Sequence, residues 1–168
     1  MKAWFRRHSI IITLLPVITI MVTIFCLSAQ TKDQSAAMSG QITNHVTNLL
    51  AQNSNGNALS LQIIGRDTLD IMIRKFAHFS EYALLGFFLM LHLRQVQKRL
   101  AFSRPHIWAW CIGTLYAISD ELHQGFVGGR SAELPDVLLD SGGVLAGIML
   151  CLLAFALVRR KRRQSNPA

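Results

Sequence analysis

The chain has 168 residues, of which 51% are hydrophobic and only 15% are charged. This length allows one domain, and so apolar a composition excludes an ordinary soluble globular protein. A formal net charge of +8 is compatible with nucleic-acid binding. However, no basic cluster carries the interleaved aromatic residues that stack on bases. The composition therefore predicts an integral membrane protein that does not bind nucleic acid.

Four apolar stretches are long enough to cross a hydrocarbon core, which needs about 20 residues. They run over residues 9–29, 76–93, 107–123 and 137–158. A cleaved signal peptide is the alternative for the first stretch, but its apolar run exceeds the usual length of roughly 7–15 residues. We therefore predict an all-α membrane protein: a four-transmembrane-helix bundle with an amphipathic segment in the first outer loop.

Basic residues are distributed unevenly around these stretches. Twelve of the seventeen lie before the first span, between the second and third, or after the fourth, and none of the nine acids lies there. The positive-inside rule then predicts a multi-pass protein of the plasma membrane with cytoplasmic N- and C-termini. The basic clusters should attract anionic headgroups, so membrane lipids are expected partners.

The loop after the first span has its own pattern. Met38, Ile42, Val46 and Leu49 recur at helical spacing, which predicts an amphipathic helix on the membrane surface or over the bundle. The second membrane helix is predicted to begin near Thr68, after an acidic helix-start signal. The chain thus divides into a basic N-terminus with the first membrane helix (1–29), an outer loop (30–73), membrane helices 2–4 with a polar site (74–158) and a basic cytoplasmic tail (159–168).

Ionisable residues stand near the outer ends of three predicted helices. At about 1.5 Å per residue, Glu81 and His78 lie roughly 20 and 24 Å above Arg94, the basic end of their helix. Asp120 and Asp140 lie roughly 24 and 28 Å above the basic ends of theirs. A charge inside a bilayer costs several kcal/mol unless it is paired or wetted. Three helices that repeat this placement therefore predict one shared site.

Glycines indicate which helix faces point inward. Asp136 and Asp140 share a face of the last helix with Gly143 and Gly147. Small residues let membrane helices approach closely, so this face should enter the bundle and carry both acids with it. Gly113 marks the equivalent packing face of the third helix.

A purely structural role is the simplest alternative for these polar residues. Buried polar side chains often serve only as contacts between helices, and Glu81 would then pair with Lys75 or Arg74. The concentration of His, acidic and Arg side chains at one depth exceeds what packing requires. We therefore favour a functional site.

Two chemical alternatives remain open. A metal site would use His78, Glu81, Asp120 and His123, whose N and O atoms suit zinc, but HExxH and paired cysteines are absent. We expect neither a metal nor a cofactor. Acid/base hydrolysis of a lipid or envelope substrate is conceivable because crowded carboxylates lie beside His. No nucleophile stands out, since Ser80 lies on the wrong helix face, and a non-catalytic role is favoured.

Three motifs occur at these polar positions: HFSEY at 78–82, DELHQGFVGGR at 120–130 and DVLLDSGG at 136–143. They are similar to the H-F-x-E-Y, D-E-x-H-Q-x-F-x-P-G-R and D-V-x-x-N-x-x-G elements of the VanZ-like family of small bacterial membrane proteins. The resemblance runs from about residue 28 to 158, and Ser28, Gln30 and Ser35 echo a weaker Ser-rich stretch. Gly128 stands where the family usually has Pro, and Asp140 where Asn is usual.

The resemblance completes the predicted site and suggests a role. The site residues are Arg74, Lys75, His78, Glu81, Tyr82, Asp120, Glu121, His123, Gln124, Arg130, Asp136 and Asp140. The family's eponymous member is linked to low-level teicoplanin resistance, and the family has no settled reaction.

We accordingly expect an outer-leaflet site that recognises a cell-envelope component or an amphiphilic glycopeptide, in teicoplanin-type resistance or envelope maintenance. A lipid-linked cell-wall precursor or a lipoglycopeptide is the expected partner, and an oligomer is compatible with the sequence. The alternatives are a membrane enzyme acting on a lipid-linked envelope substrate and a small proton-coupled transporter.

Overall fold

The computed structural model describes residues 2–53, 65–100, 103–127 and 132–165. These residues form five helices and no strand. The helices are α1 (Lys2–Ser28), α2 (Lys32–Asn53), α3 (Arg66–Leu100), α4 (Pro105–Gln124) and α5 (Leu134–Ser165). The prediction of an all-α protein is confirmed, and α3 begins close to the predicted start at Thr68.

Within the described ranges, three helices are long and apolar enough to cross a membrane. These segments are Ile10–Ser28, Asp67–Lys98 and Leu134–Arg162, and they correspond to the first, second and fourth predicted spans. The third predicted span lies in α4, which has 20 residues. It is not among these three segments, and its last turn carries Glu121, His123 and Gln124. Length and composition therefore support three spans, with α4 packed beside them.

The closest helix packing lies between α3 and α5, which begin at the same end of the bundle. A Cβ atom added at Gly147 would overlap the carbonyl of Ala83, and one added at Gly143 would reach the Phe79 carbonyl oxygen. The two helix backbones are therefore in direct contact, as expected where small residues line a membrane-helix interface. We refer to this contact as the α3–α5 seam.

Gly86 completes the seam from the side of α3. A Cβ atom there would overlap the backbone of Val144. On the neighbouring helix, a Cβ atom at Gly113 would lie 2.7 Å from Cγ1 of Val144, so α4 also packs closely on α5. The middle of the bundle is an apolar core formed by Tyr82, Leu85, Leu89, Met90, Val144, Ile148 and Cys151.

Side-chain hydrogen bonds hold α4 between α1 and α5. Trp110 Nε1 donates to Ser141 Oγ at 3.0 Å, and Thr114 Oγ1 lies 2.9 Å from the same hydroxyl. On the other side, the Tyr116 hydroxyl donates to the carbonyl of Met21 at 2.6 Å. These contacts fix the rotation of α4 and hence the direction of the polar side chains in its last turn.

Helix α2 occupies the loop region that was predicted to be amphipathic. It packs on α3 through buried Ser39 and Thr43. The apolar side chains of Met38, Ile42 and Leu49 are each about half exposed, and Met38 and Ile42 also line a small cavity against α3. A membrane-surface position for this helix remains a prediction.

Candidate functional site

A cavity of about 290 Å³ lies where α3 and α5 begin and α4 ends. We refer to it as the polar cavity. It is lined by Lys32, Ile71, Arg74, Lys75, His78, Glu121, Gln124, Glu133, Asp136, Leu139 and Asp140. Seven of the twelve predicted site residues are among them. The structure thus brings most of the predicted polar layer to one opening.

Ion pairs and a hydrogen bond connect three helices at this cavity. The Arg74 guanidinium lies 3.5 Å from Oδ2 of Asp70, one turn earlier on α3. The other oxygen of Asp70 accepts a hydrogen bond from Thr43 Oγ1 of α2 at 3.0 Å. Lys75 of α3 forms an ion pair with Asp136 in the first turn of α5. The basic residues of α3 are therefore connected both to α2 and to α5.

A buried hydrogen-bond network stands beside the cavity, between α1 and α4. Ser28 Oγ donates to Oδ2 of Asp120 at 2.8 Å. Gln124 Nε2 donates to the same carboxylate oxygen at 3.2 Å and lies 3.4 Å from the Ser28 hydroxyl. A buried carboxylate is strongly destabilising unless it receives such bonds. The network therefore fixes the end of α1 against the end of α4, and Gln124 extends it to the cavity wall.

The wall formed by α4 is also tied to the chain that leads into α5. The backbone N–H of Glu133 donates to Oε1 of Glu121 at 2.7 Å. Glu133 is the residue immediately before α5, so this hydrogen bond fixes the position at which α5 begins. Asp136 and Asp140 follow on the first turns of that helix.

Asp140 is the most deeply buried acid in the lining, with 2% of its surface exposed. Its Oδ1 atom has no hydrogen-bond partner among the described residues. Buried polar atoms in folded proteins are nearly always hydrogen-bonded to protein, water or ligand. Asp140 is therefore suited to accept a hydrogen bond from a molecule that enters the polar cavity.

Two predicted residues of α3 lie close to the polar cavity but outside its lining. Glu81 lines a smaller cavity of about 80 Å³ that shares Arg74 and His78 with it. Tyr82 is fully buried, and its ring centroid lies 6.2 Å from that of Tyr116. Glu81 is thus an immediate neighbour of the polar cavity, whereas Tyr82 belongs to the bundle core.

His123 lies against α1 rather than at the polar cavity. Its ring stacks on Phe25 of α1 with centroids 4.6 Å apart, and it does not line the polar cavity. The two imidazoles of the metal alternative, His78 and His123, therefore lie in different surroundings. The described ranges contain no group of three His, Cys, Asp or Glu that could hold a metal ion. Arg130, the remaining predicted site residue, lies outside the described residues.

Three polar residues of this region were not included in the predicted site, although Ser28 was named in the family resemblance. Lys32 and Glu133 line the polar cavity, and Ser28 hydrogen-bonds to Asp120. Each stands within one residue of a helix end. A polar residue that closes a long apolar helix was the available signal for Ser28, while Lys32 and Glu133 read as ordinary loop charges.

The family model described as VanZ/LLP1 matches residues 13–156. This range includes every residue that lines the polar cavity and all three of the apolar segments for most of their length. Searches of curated proteins and of solved structures find no match. The matched range covers far more than half of the 168 residues and contains all three motifs. The chain is therefore a member of the VanZ-like family of membrane proteins.

Proposed function

We propose that this chain crosses the plasma membrane four times, through α1, α3, α4 and α5, with both termini in the cytoplasm. Helix α4 has 20 residues, which span about 30 Å, the thickness of a hydrocarbon core. Its exposed side carries Trp108, Leu115, Ile118 and Leu122, which suits contact with lipid. The arrangement of basic residues supports the orientation, since twelve of the seventeen lie in the three segments at one end, where none of the acids lies.

Cysteine labelling tests this topology. In a variant without the three native cysteines, a cysteine is placed at Ser165 or at Asn48, both exposed. An impermeant maleimide added to intact cells should label the Asn48 position alone. Labelling of the Ser165 position alone would reverse the orientation.

The exposed apolar side of α2 supports a second element of the topology. Met38, Ile42 and Leu49 are each about half exposed, and their exposed parts suit insertion at the boundary between headgroups and acyl chains. Because α2 also holds Thr43 against Asp70, it would lie as a surface helix beside the polar cavity. The cavity then opens at the outer face of the membrane.

The polar cavity is the proposed recognition site for a cell-envelope component or an amphiphilic glycopeptide. The observation that supports this proposal is that both positively and negatively charged side chains line the cavity. Lys32, Arg74 and Lys75 supply the positive charges. Four acids supply the negative charges: Glu121 of α4, Glu133 just before α5, and Asp136 and Asp140 of α5. Cell-wall peptides and glycopeptide drugs present carboxylate and ammonium groups together, and such a lining complements both. Sequestering either ligand at the outer face would lower the access of the drug to its target.

Catalysis and transport have less support in the described geometry. Ser28, the hydroxyl held by a carboxylate, is fully buried and does not line the cavity, so it does not present a nucleophile to a bound molecule. A transport path would have to pass the apolar core between Tyr82 and Met90. Toward the other end, His92 Nδ1 lies 3.1 Å from Thr13 Oγ1.

Teicoplanin susceptibility of cells that express the protein at matched levels tests the recognition proposal. Asp140→Asn and Arg74→Gln each change one cavity charge and should abolish the wild-type reduction in susceptibility. Asp67→Asn and Lys98→Gln are matched controls outside the cavity and should retain it.

Two results would oppose the proposal. Full retention of the wild-type phenotype in both cavity variants would reject the cavity as the site. A wild-type protein that leaves susceptibility unchanged would reject glycopeptides as the ligand and restrict the proposal to envelope components.

A further inference from the structure

A second groove, of about 490 Å³, lies at the opposite end of the bundle from the polar cavity. We refer to it as the basic groove. It is lined by Arg94 of α3 and by Leu152, Phe155, Ala156, Arg159, Arg160 and Gln164 of α5. The groove therefore runs between the far ends of the same two helices that form the seam.

An aromatic contact holds Arg94 in this groove. Its guanidinium carbon lies 4.0 Å from the centroid of the Phe155 ring. A cation at this distance from a ring face is attracted by the ring quadrupole, which restricts the side chain. Arg159 follows Phe155 by one helical turn and Arg160 is next to it, so three guanidinium groups line one groove.

Among the residues that the structure describes, no acidic side chain lines the basic groove. The nine acids of the chain all lie between residues 33 and 81 or between 120 and 140. The ion pairs among the described residues join Arg74 to Asp70 and Lys75 to Asp136 at the other end. Three cations gathered without a carboxylate repel one another, and a multiply hydrogen-bonding anion such as a phosphodiester would relieve that repulsion.

Apart from Gln164, the remaining lining of the groove is apolar. Leu152, Phe155 and Ala156 adjoin the arginines, and exposed Leu153 and Leu157 continue an apolar surface along α5. A small soluble anion would leave this surface uncovered. A ligand with an anionic head and a hydrocarbon tail matches both parts.

We propose that the basic groove is a binding site for one anionic phospholipid of the adjacent leaflet. The headgroup phosphate contacts Arg94, Arg159 and Arg160, and an acyl chain lies along α5 from Phe155 towards the middle of the membrane. This assignment differs from a general attraction of basic tails to acidic membranes because it requires particular arginines. It is also separate from the polar cavity and does not depend on its ligand.

Native mass spectrometry of the full-length protein in detergent tests this site by titration with phosphatidylglycerol or phosphatidylcholine. The wild type should retain one phosphatidylglycerol in preference to phosphatidylcholine. Arg94→Gln and Arg160→Gln should each weaken this binding by about tenfold, as expected for loss of a charge-assisted hydrogen bond. Arg162→Gln removes the same charge from α5 outside the groove and should change the affinity by less than about twofold.

Two further measurements test whether Phe155 positions Arg94 and whether the bound phosphate belongs to a lipid. Phe155→Leu retains an apolar side chain but removes the ring under Arg94, and should weaken phosphatidylglycerol binding without changing binding of phosphatidylcholine. Inorganic phosphate at millimolar concentration should not displace the lipid, because it cannot cover the apolar part of the groove.

Three outcomes would overturn the proposal. Equal losses in Arg94→Gln and Arg162→Gln would show that only net charge matters. Equal affinity of the wild type for the two lipids would remove the role of the headgroup. Displacement by inorganic phosphate would identify a soluble anion as the ligand instead. Because Arg160 is exposed, its variant reports on binding even where a change at Arg94 lowers the yield of folded protein.

Discussion

The α3–α5 seam and the polar cavity are formed by the same two helices but are built in opposite ways. In the seam, Gly143 and Gly147 bring the backbone of α5 against α3, and no space for a side chain remains. At the cavity, only one turn earlier on α5, the helices leave about 290 Å³ between charged side chains. The close contact therefore ends where the polar site begins.

This difference indicates which residues position the charged groups. Lys75 and Asp136 are 45% and 35% exposed, and ion pairs with such exposure contribute little to stability. The glycine contacts of the seam, by contrast, fix the distance and register of the two helices over their buried length. We infer that the glycine contacts of the seam determine where the charged groups of the cavity lie. The ion pair at the cavity contributes little to holding α3 against α5. Changes in the two regions should therefore have different consequences.

The largest effect is expected from Gly147→Leu. Its Cβ would overlap the carbonyl of Ala83, so α3 and α5 must separate. Overpacking costs about 1–3 kcal/mol, and more where backbone is displaced, so little folded protein should survive. Monodisperse protein after detergent extraction measures the effect. Ala154→Leu adds similar volume at an exposed position of α5 and should extract like the wild type; a comparable yield of Gly147→Leu would break the distinction between the two regions.

An intermediate effect is expected in the network beside the cavity. Asp120→Ala leaves the Ser28 hydroxyl and the Gln124 amide without their shared acceptor and should lower the free energy of unfolding by about 1–3 kcal/mol. Asp120→Asn retains an acceptor oxygen and should lose less. Thermal unfolding of the detergent-solubilised variants measures both. Equal losses would mean that the negative charge, rather than the hydrogen bonds, stabilises this end of the bundle.

A small effect is expected for the ion pair between α3 and α5. A double-mutant cycle of Lys75→Ala and Asp136→Ala should give a coupling free energy of about 0.2–1 kcal/mol, reduced by added salt. Unfolding of the two single variants and the double variant supplies the cycle. A coupling above about 2 kcal/mol would mean that the polar end contributes substantially to holding α3 against α5.

The smallest effect is expected for His123→Phe. The substitution keeps an aromatic ring against Phe25, and the position does not line the polar cavity. Both the amount of protein and the teicoplanin phenotype should therefore remain close to the wild type. If His123→Phe lost the phenotype at normal protein levels, as expected for Asp140→Asn, then His123 would contribute to the function despite its separation from the polar cavity.

The sequence predicted the depth of the polar residues better than their surroundings. Depth follows from a constant rise along each helix, so His78 and Asp140 were expected at one level and now line one cavity. Surroundings depend on how each helix is rotated against its neighbours. His123 was therefore grouped with His78, although hydrogen bonds of Tyr116 and Trp110 turn α4 so that His123 meets α1.

Polar contacts between residues far apart in the sequence also could not be predicted. The bond between Thr43 and Asp70 joins residues that are 27 positions apart, and the one between Ser28 and Asp120 joins residues 92 positions apart. Neither pair follows from helical periodicity, because periodicity orders residues only within one helix. The inward face of α5 was the favourable case, since Gly143 and Gly147 mark it within a single helix.

The length of α3 has a consequence for how the protein responds to its lipid surroundings. Its 35 residues extend about 52 Å, against a hydrocarbon core of roughly 30 Å. In the proposed arrangement, the stretch from Lys75 to Arg94 rises about 28 Å and matches that core. Hydrophobic mismatch would therefore act directly on the cavity: a thicker bilayer would draw its charges into hydrocarbon or force α3 upright, and a thinner one would tilt it. Bilayer thickness thus becomes a physical variable that can tune how readily this site meets its ligand.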